Sequence, residues 1–320
     1  MRRVKFQATD MSKVLEGHEA VAEQAKKAMT FYRFVPIADP VQVRSELLQV
    51  AEPLHLKGTI LLAKEGVNGT LVGTQEDLET MAQALVRCAA DMPFKFSDID
   101  AENQGFFRFK IKLKEEIVTF GVPELNVADN GEHVDAETWN RLLNDPEVVV
   151  VDTRNQYEID IGSFPGAISP ETTNFREFPA WADEHLAPDQ KVAMFCTGGI
   201  RCEKASAYLK QCGFENVYQL DGGVLKYLED VEQEANAWQG ECFVFDQRVS
   251  VNAELEQGAY QQCFACRHPV SEEDMQSEHY EPGICCPHCI DRPGSRQRFA
   301  DRQKQIELAK ARGEQHLGGS

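Results

Sequence analysis

The sequence predicts an α/β protein in three successive parts: a small α+β domain, a parallel-sheet α/β domain and a short cysteine-rich segment. Three observations lead there. Between residues 148 and 224, short apolar runs alternate with helical patterns, as in a parallel sheet covered by helices on both faces. Between residues 30 and 122, strand and helix patterns follow the order βαββαβ. Near the end, Cys263-Phe264-Ala265-Cys266 and Cys286-Pro287-His288-Cys289 form two CxxC pairs nineteen residues apart. The predicted division is an arm at 1–29, an α+β domain at 30–122, a linker at 123–132, an α/β domain at 133–240, a cysteine-rich segment at 241–295 and a basic, partly disordered tail at 296–320.

Composition narrows the classes. At 320 residues the chain exceeds one typical core. No apolar run reaches the roughly 18 residues of a membrane helix, and the basic start Met1-Arg2-Arg3 has no apolar core behind it, so a cytoplasmic protein is expected. Ten cysteines in a reducing compartment argue for catalysis or metal rather than disulfides. A formal charge of −19 argues against general nucleic-acid affinity, so any RNA contact must use local basic patches.

In order, the arm is polar and weakly helical from Val14 to Lys27. Phe31–Val35 alternates as a strand, and Val41–Ala51 is a helix with Pro40 in its first turn. Gly58–Ala63 is a second strand, Asn68-Gly69 signals the hairpin turn, and Leu71–Gly73 returns. Thr74 caps a helix to Cys88, and a long strand is expected from Phe106 to Phe120. This order suggests a ferredoxin- or acylphosphatase-like sandwich. In the last strand Arg108, Lys110, Lys112 and Lys114 share one face, a candidate contact for RNA phosphates, or a lysine guard on an edge strand. In the next domain Asp135 caps a helix, Val148–Val151 is a buried strand, Asn174–Leu186 is a helix broken by Pro179, and Val192–Phe195 is a strand. Asn216–Leu220 is another strand, ending at a Gly222-Gly223 turn before a last helix, and Phe243–Val251 reads as an apolar strand.

The chemistry centres on Phe195-Cys196-Thr197-Gly198-Gly199-Ile200-Arg201-Cys202-Glu203-Lys204. A cysteine at a strand end, a glycine loop, an arginine and a helix N-terminus all favour thiolate over thiol. Cys196 is therefore the expected nucleophile and Arg201 its charged partner, with Thr197, Gly198, Gly199 and Ile200 forming the loop. Cys202 is a candidate to resolve an oxidised Cys196, or a small buried residue. Lys204 either adds positive potential or is solvated. Asp152 is expected to buttress the loop, and Arg154 either faces substrate or pairs with a carboxylate.

The Cys-x4-Arg loop, with the Asp152-Thr153-Arg154 strand end and the Gly166-Ala167 turn, resembles that of rhodanese domains, which implies that 133–240 is one. The longer string CTGGIRCEKA resembles the rhodanese-containing tRNA uridine hydroxylases of bacteria, the TrhO (YceA/UPF0176) family, over roughly Thr30 to Arg298. The resemblance implies oxygen-dependent 5-hydroxylation of the wobble uridine of tRNA through Cys196, with molecular oxygen as co-substrate. The alternative is a sulfurtransferase carrying a Cys196 persulfide to RNA or protein. A non-catalytic RNA-binding scaffold is a third reading, which the intact Cys and Arg oppose. No flavin, haem or nucleotide motif is visible, and no obligate protein partner is evident.

Cys263, Cys266, Cys286 and Cys289 are expected to hold a structural zinc, with Cys285, His268 and His288 as further candidate ligands. In the tail, seven cations that include Arg292, Arg296 and Arg298 outnumber four acids, a second candidate RNA contact or a frayed, solvated helix.

Overall fold

The structure, a computed structural model, describes residues 26–99, 106, 108–246 and 248–311. The predicted arm up to residue 25, Phe107 and Arg312 lie outside the described residues.

The first domain runs β1 (Lys26–Phe34), α1 (Pro40–Ala51), β2 (Lys57–Ala63), β3 (Gly66–Thr74), α2 (Gln75–Cys88), β4 (Phe94–Asp98) and β5 (Phe109–Leu113). Its sheet has the order β4-β1-β3-β2-β5, antiparallel except for the parallel β2–β5 pair. Asp39 caps α1 by accepting from the Val41 and Gln42 amides, and Thr74 caps α2 by accepting from Asp77. Met29, Phe31, Ile60, Leu62, Leu71 and Ile111 face the two helices and pack on Leu47, Leu78, Met81 and Leu85. Alternation puts Thr30, Tyr32, Asn68, Thr70, Lys110 and Lys112 on the opposite face.

Three expectations change here. The strand expected over Phe106–Phe120 is paired only over Phe109–Leu113, and β4 is an additional strand. The hairpin turns at Lys64-Glu65, with Ala63 opposite Gly66, while Asn68-Gly69 lies inside β3. Gly69 is there for space: a Cβ would stand 2.7 Å from the Phe31 ring. Gly66 (φ +149°) has the Arg33 carbonyl oxygen 2.0 Å from where its Cβ would be.

The second domain runs β6 (Glu132–Val134), α3 (Ala136–Leu143), β7 (Val148–Asp152), α4 (Gln156–Ile159), β8 (Gly162–Ser163), α5 (Phe178–His185), β9 (Lys191–Phe195), α6 (Ile200–Gln211), β10 (Val217–Leu220) and α7 (Gly223–Asp230). Its parallel sheet has the order β6-β10-β9-β7. One face packs Trp139, Phe164, Phe195 and Tyr227, and the other packs Met194, Leu209, Phe178 and Phe120. Pro179 does not break its helix but occupies the first turn of α5, where no amide donor is needed.

The segment expected as a strand over Phe243–Val251 is a hairpin, β12 (Cys242–Phe243) against β13 (Ser250–Val251), preceded by β11 (Gln239–Gly240), which pairs with β8. Cys242, Val244 and Val251 join the interior of the parallel-sheet domain. β14 (Gln261–Gln262), β15 (Pro269–Val270), α8 (Glu272–Gln276) and α9 (Ser295–Ala311) complete the chain. Among the described residues, no helix is long and apolar enough to cross a membrane.

Candidate active site

The loop from Cys196 to Arg201 sits at the carboxyl end of β9, where parallel sheets place ligands. Two helix N-termini converge on it. On the α6 side, the Gly199 amide donates to Cys196 Sγ at 3.1 Å, and the Arg201 and Cys202 amides also point at the sulfur. On the α7 side, the Val224 and Leu225 amides donate to the Cys196 and Thr197 carbonyls at 3.0 and 3.1 Å. Glycine is required at both ends of this arrangement. Gly199 has φ +95°, and a Cβ on Gly223 (φ +66°) would stand 2.4 Å from the Cys196 carbonyl oxygen.

Cys196 is fully buried. Burial pushes its thiol up, but a hydrogen bond from Cys202, the Arg201 charge and the loop amides outweigh it and bring the sulfur down to about 5. The proton stays on Cys202, whose thiol is pushed up by burial and by the Cys196 charge. The sulfur is thus held as a thiolate at neutral pH. Thr153 Oγ1, 3.6 Å from Cys202 Sγ, ties this pair to β7. A Cβ on Gly198 would meet nothing within 4 Å, so the loop is open on that side.

Arg201 is held by a residue that the sequence did not single out. Its Nη1 and Nη2 donate to the two oxygens of Glu158 at 2.6 and 2.7 Å, and both side chains are buried. Glu158 also accepts from Thr197 Oγ1 at 3.3 Å and from the Asn155 amide at 3.1 Å. Burial pushes Glu158 up, but the Arg201 guanidinium holds it below the ordinary carboxylate range. The only local hint was an acidic residue just after the Asp152-Thr153-Arg154 strand end.

Asp152 and Arg154 lie beneath the loop. Arg154 is fully buried, donates through Nε and Nη2 to Asp152 at 2.8 and 2.6 Å and to the Glu158 and Gly162 carbonyls, and lies over the Phe195 and Trp238 rings. It faces no open space, so the substrate-facing alternative is corrected. Asp152 accepts from Ser163 as well as Arg154 and supports the Arg154 network rather than the loop atoms.

The first domain reaches the loop through Tyr32. Its Oη donates to Glu203 Oε1 at 3.1 Å and lies against Gly199, and burial together with Glu203 pushes the phenol up. Glu203 also accepts from Asn130 and faces His133 Nε2 at 3.7 Å. The next residue, Lys204, is neither solvated nor aimed at the sulfur. It is buried and pairs with Glu65 of the first domain at 2.8 Å and with Glu116 at 2.6 Å.

Lys110, Lys112 and Lys114 are exposed on or just after β5, an edge strand, whereas Arg108 is half-buried. Lys112 stands in one cross-strand row with Leu61, Asn68 and Tyr32, three strand spacings or about 14 Å across the sheet. In the tail, Arg296 pairs with Glu281 at 2.9 Å, Arg298 lies over Phe299, and Arg292 is exposed.

The sulfurs of Cys263, Cys266, Cys286 and Cys289 lie within 4.8 Å of one another. Cys286 Sγ is 3.8 Å from both Cys266 Sγ and Cys289 Sγ, about the edge of a tetrahedron with 2.3 Å zinc–sulfur bonds. The four thiolates fit zinc and leave no open position, which makes a metal there structural. The other candidates are engaged elsewhere: Cys285 Sγ donates to the His279 carbonyl, His268 Nδ1 to that of Pro269, and His288 pairs with Asp274.

A strand-end cysteine in a short loop flanked by two helix N-termini is the arrangement of a rhodanese-like domain, and residues 135–230 match the family described as the rhodanese-like domain. Residues 26–117 match the UPF0176 acylphosphatase like domain, so the chain carries the two-domain architecture of the UPF0176 family that its sequence resembles. Solved structures similar to it include a rhodanese-like domain from Anabaena, 20% identical, covering 34% of this chain and 78% of that one, TM-score 0.29. A rhodanese-related protein from Thermoplasma volcanium is 24% identical, covering 31% and 92%, TM-score 0.27.

Proposed function

We propose that this protein is a tRNA-modifying enzyme that uses the Cys196 thiolate to hydroxylate the wobble uridine at C5, with molecular oxygen as co-substrate. The observation that carries the reading is the pairing of the UPF0176 domain with an intact rhodanese loop whose sulfur is charged at neutral pH. A thiolate adding to C6 of a pyrimidine makes C5 electron-rich and open to oxygen. Loss of the C5 proton and of the sulfur then restores the ring. Balance takes two electrons and two protons per O2, which an external dithiol supplies as it is oxidised to a disulfide, with the second oxygen atom leaving as water. The loop amides and Arg201 stabilise the sulfur as the leaving group. Lys110, Lys112 and Lys114 offer phosphate contacts on the sheet face that carries Tyr32.

The test is nucleoside mass spectrometry on tRNA from a strain lacking the gene, complemented with wild type or with Cys196→Ala. Restoration of a hydroxyuridine-derived nucleoside by wild type alone is expected. Accurate mass is needed, because exchanging oxygen for sulfur and adding oxygen give nearly equal increments. A missing thiolated nucleoside would instead favour the sulfurtransferase. That second reading has its own support, since a four-residue loop closed around one buried sulfur suits a persulfide. The C6 route is tested with RNA containing a 5-halogenated uridine; no adduct on Cys196 counts against it.

A further inference from the structure

An aromatic row begins under the loop and ends in the open. Tyr157 of α4 packs edge-on against Phe243 of β12, centroids 5.2 Å apart, and Phe243 packs edge-on against Phe245 at 5.1 Å. Phe243 is buried, whereas Phe245 is 56% exposed. The Phe245 ring stands beside Arg201, whose guanidinium carbon is 5.9 Å from its centroid, and Arg201 supplies the charge that favours the Cys196 thiolate. A single exposed ring is ordinary on a protein surface; what singles this one out is its place beside Arg201, which flanks the Cys196 loop.

The ring is also pre-placed. The hairpin closes through the Val244 amide on the Val249 carbonyl at 2.9 Å. Asp246 accepts from the Arg248 amide at 2.9 Å and pairs with its guanidinium at 2.7 Å. These bonds hold the backbone around Phe245, and the ring itself rests edge-on against buried Phe243.

We propose that Phe245 is a stacking platform for the pyrimidine base presented to Cys196, supplied by the hairpin that follows the parallel-sheet domain. The proposal rests on the RNA reading above and gives that substrate a subsite. The occupant is an unstacked pyrimidine of a single-stranded RNA loop, which covers the ring face and meets the Arg201 flank. A small sulfur donor such as thiosulfate has no face to lay on the ring.

The experiment uses the full chain and an anticodon stem-loop RNA with a loop uridine. Phe245→Ala should raise KM roughly 5- to 100-fold, more than it lowers kcat, as loss of one base–aromatic stack does. Phe245→Tyr should restore KM, and Phe245→Leu should not, since leucine is greasy but has no ring face. Far-UV circular dichroism and the melting temperature show that each variant is folded. In wild type, the same RNA carrying 5-iodouridine should photocrosslink to the peptide containing Phe245. An unchanged KM in Phe245→Ala, full rescue by leucine, or crosslinking only elsewhere overturns the platform while leaving the RNA reading intact. Wild-type protein that does not bind the RNA overturns both.

Discussion

Cys196 owes its reactivity to partners that lie far away in sequence. Arg201 and the loop amides are contiguous with the cysteine and were legible as one string. Glu158 and Tyr32 were not, because only the fold brings residues 43 and 171 positions apart into contact. Arg154 read ambiguously although its partners are local, Asp152 two residues before it and the Glu158 and Gly162 carbonyls four and eight residues after it, because the direction of its side chain is set by burial against the Phe195 and Trp238 rings. The Arg201–Glu158 pair gives a two-sided prediction. Glu158→Gln keeps the shape but leaves a buried guanidinium without its anion, a loss of about 3–5 kcal/mol in stability. It also releases Arg201 to act on the sulfur alone, so the Cys196 thiol should become more acidic. Peptide-resolved alkylation against pH reads this directly. In wild type, Cys196 should react as a thiolate from just above pH 5, and its rate should level off well below the range of an ordinary thiol near 8.5. The Glu158 carboxyl, depressed in the fold, contributes stability above its ordinary value of 4.5, and that contribution fades as pH falls through its lower folded value. Melting temperatures between pH 3 and 6 should fall further for wild type than for Glu158→Gln, in which the depressed Glu116, Asp221 and Asp274 still contribute.

At the scale of elements, alternation and capping revealed most of the strands and helices, while the turns were less legible. A glycine marks a place where a side chain does not fit, and the sequence does not say which reason applies. At Gly69 the reason is the Phe31 ring, so the Asn-Gly pair was no hairpin signal. At Gly223 it is the closeness of the α7 N-terminus to the Cys196 carbonyl, 2.4 Å from where a Cβ would stand. Gly223→Ala should therefore push α7 off the loop, cost about 1–3 kcal/mol and lower activity by at least tenfold, with far-UV circular dichroism unchanged. Gly166→Ala is the control for the backbone penalty alone, because it shares a positive φ of +76° with nothing within 4 Å of its Cβ. Equal losses in the two variants would mean that contact with the loop is not the cause. Pro179 teaches a similar lesson, since a proline in an apolar run opens a helix as readily as it ends one.

For the whole molecule, the cysteine pairs were the most legible long-range feature, because metal-ligand spacing is a local pattern. With zinc bound, a chelator should release four additional titratable thiols and expose the 258–295 segment to protease, while the parallel-sheet domain, with its own core, stays folded. Unchanged thiol counts would show that the four sulfurs hold no metal. How the domains meet was illegible, since it depends on side chains such as Lys204 whose partners, Glu65 and Glu116, lie on other elements. That lysine has a further consequence. A positive charge sealed at a seam makes the two halves poor spare parts for each other. If the second domain were transplanted without its companion, Lys204 would lose Glu65 and open to water on a face shaped to be covered. Lineages that shuffle domains would therefore tend to inherit, lose or replace this pair as a single unit.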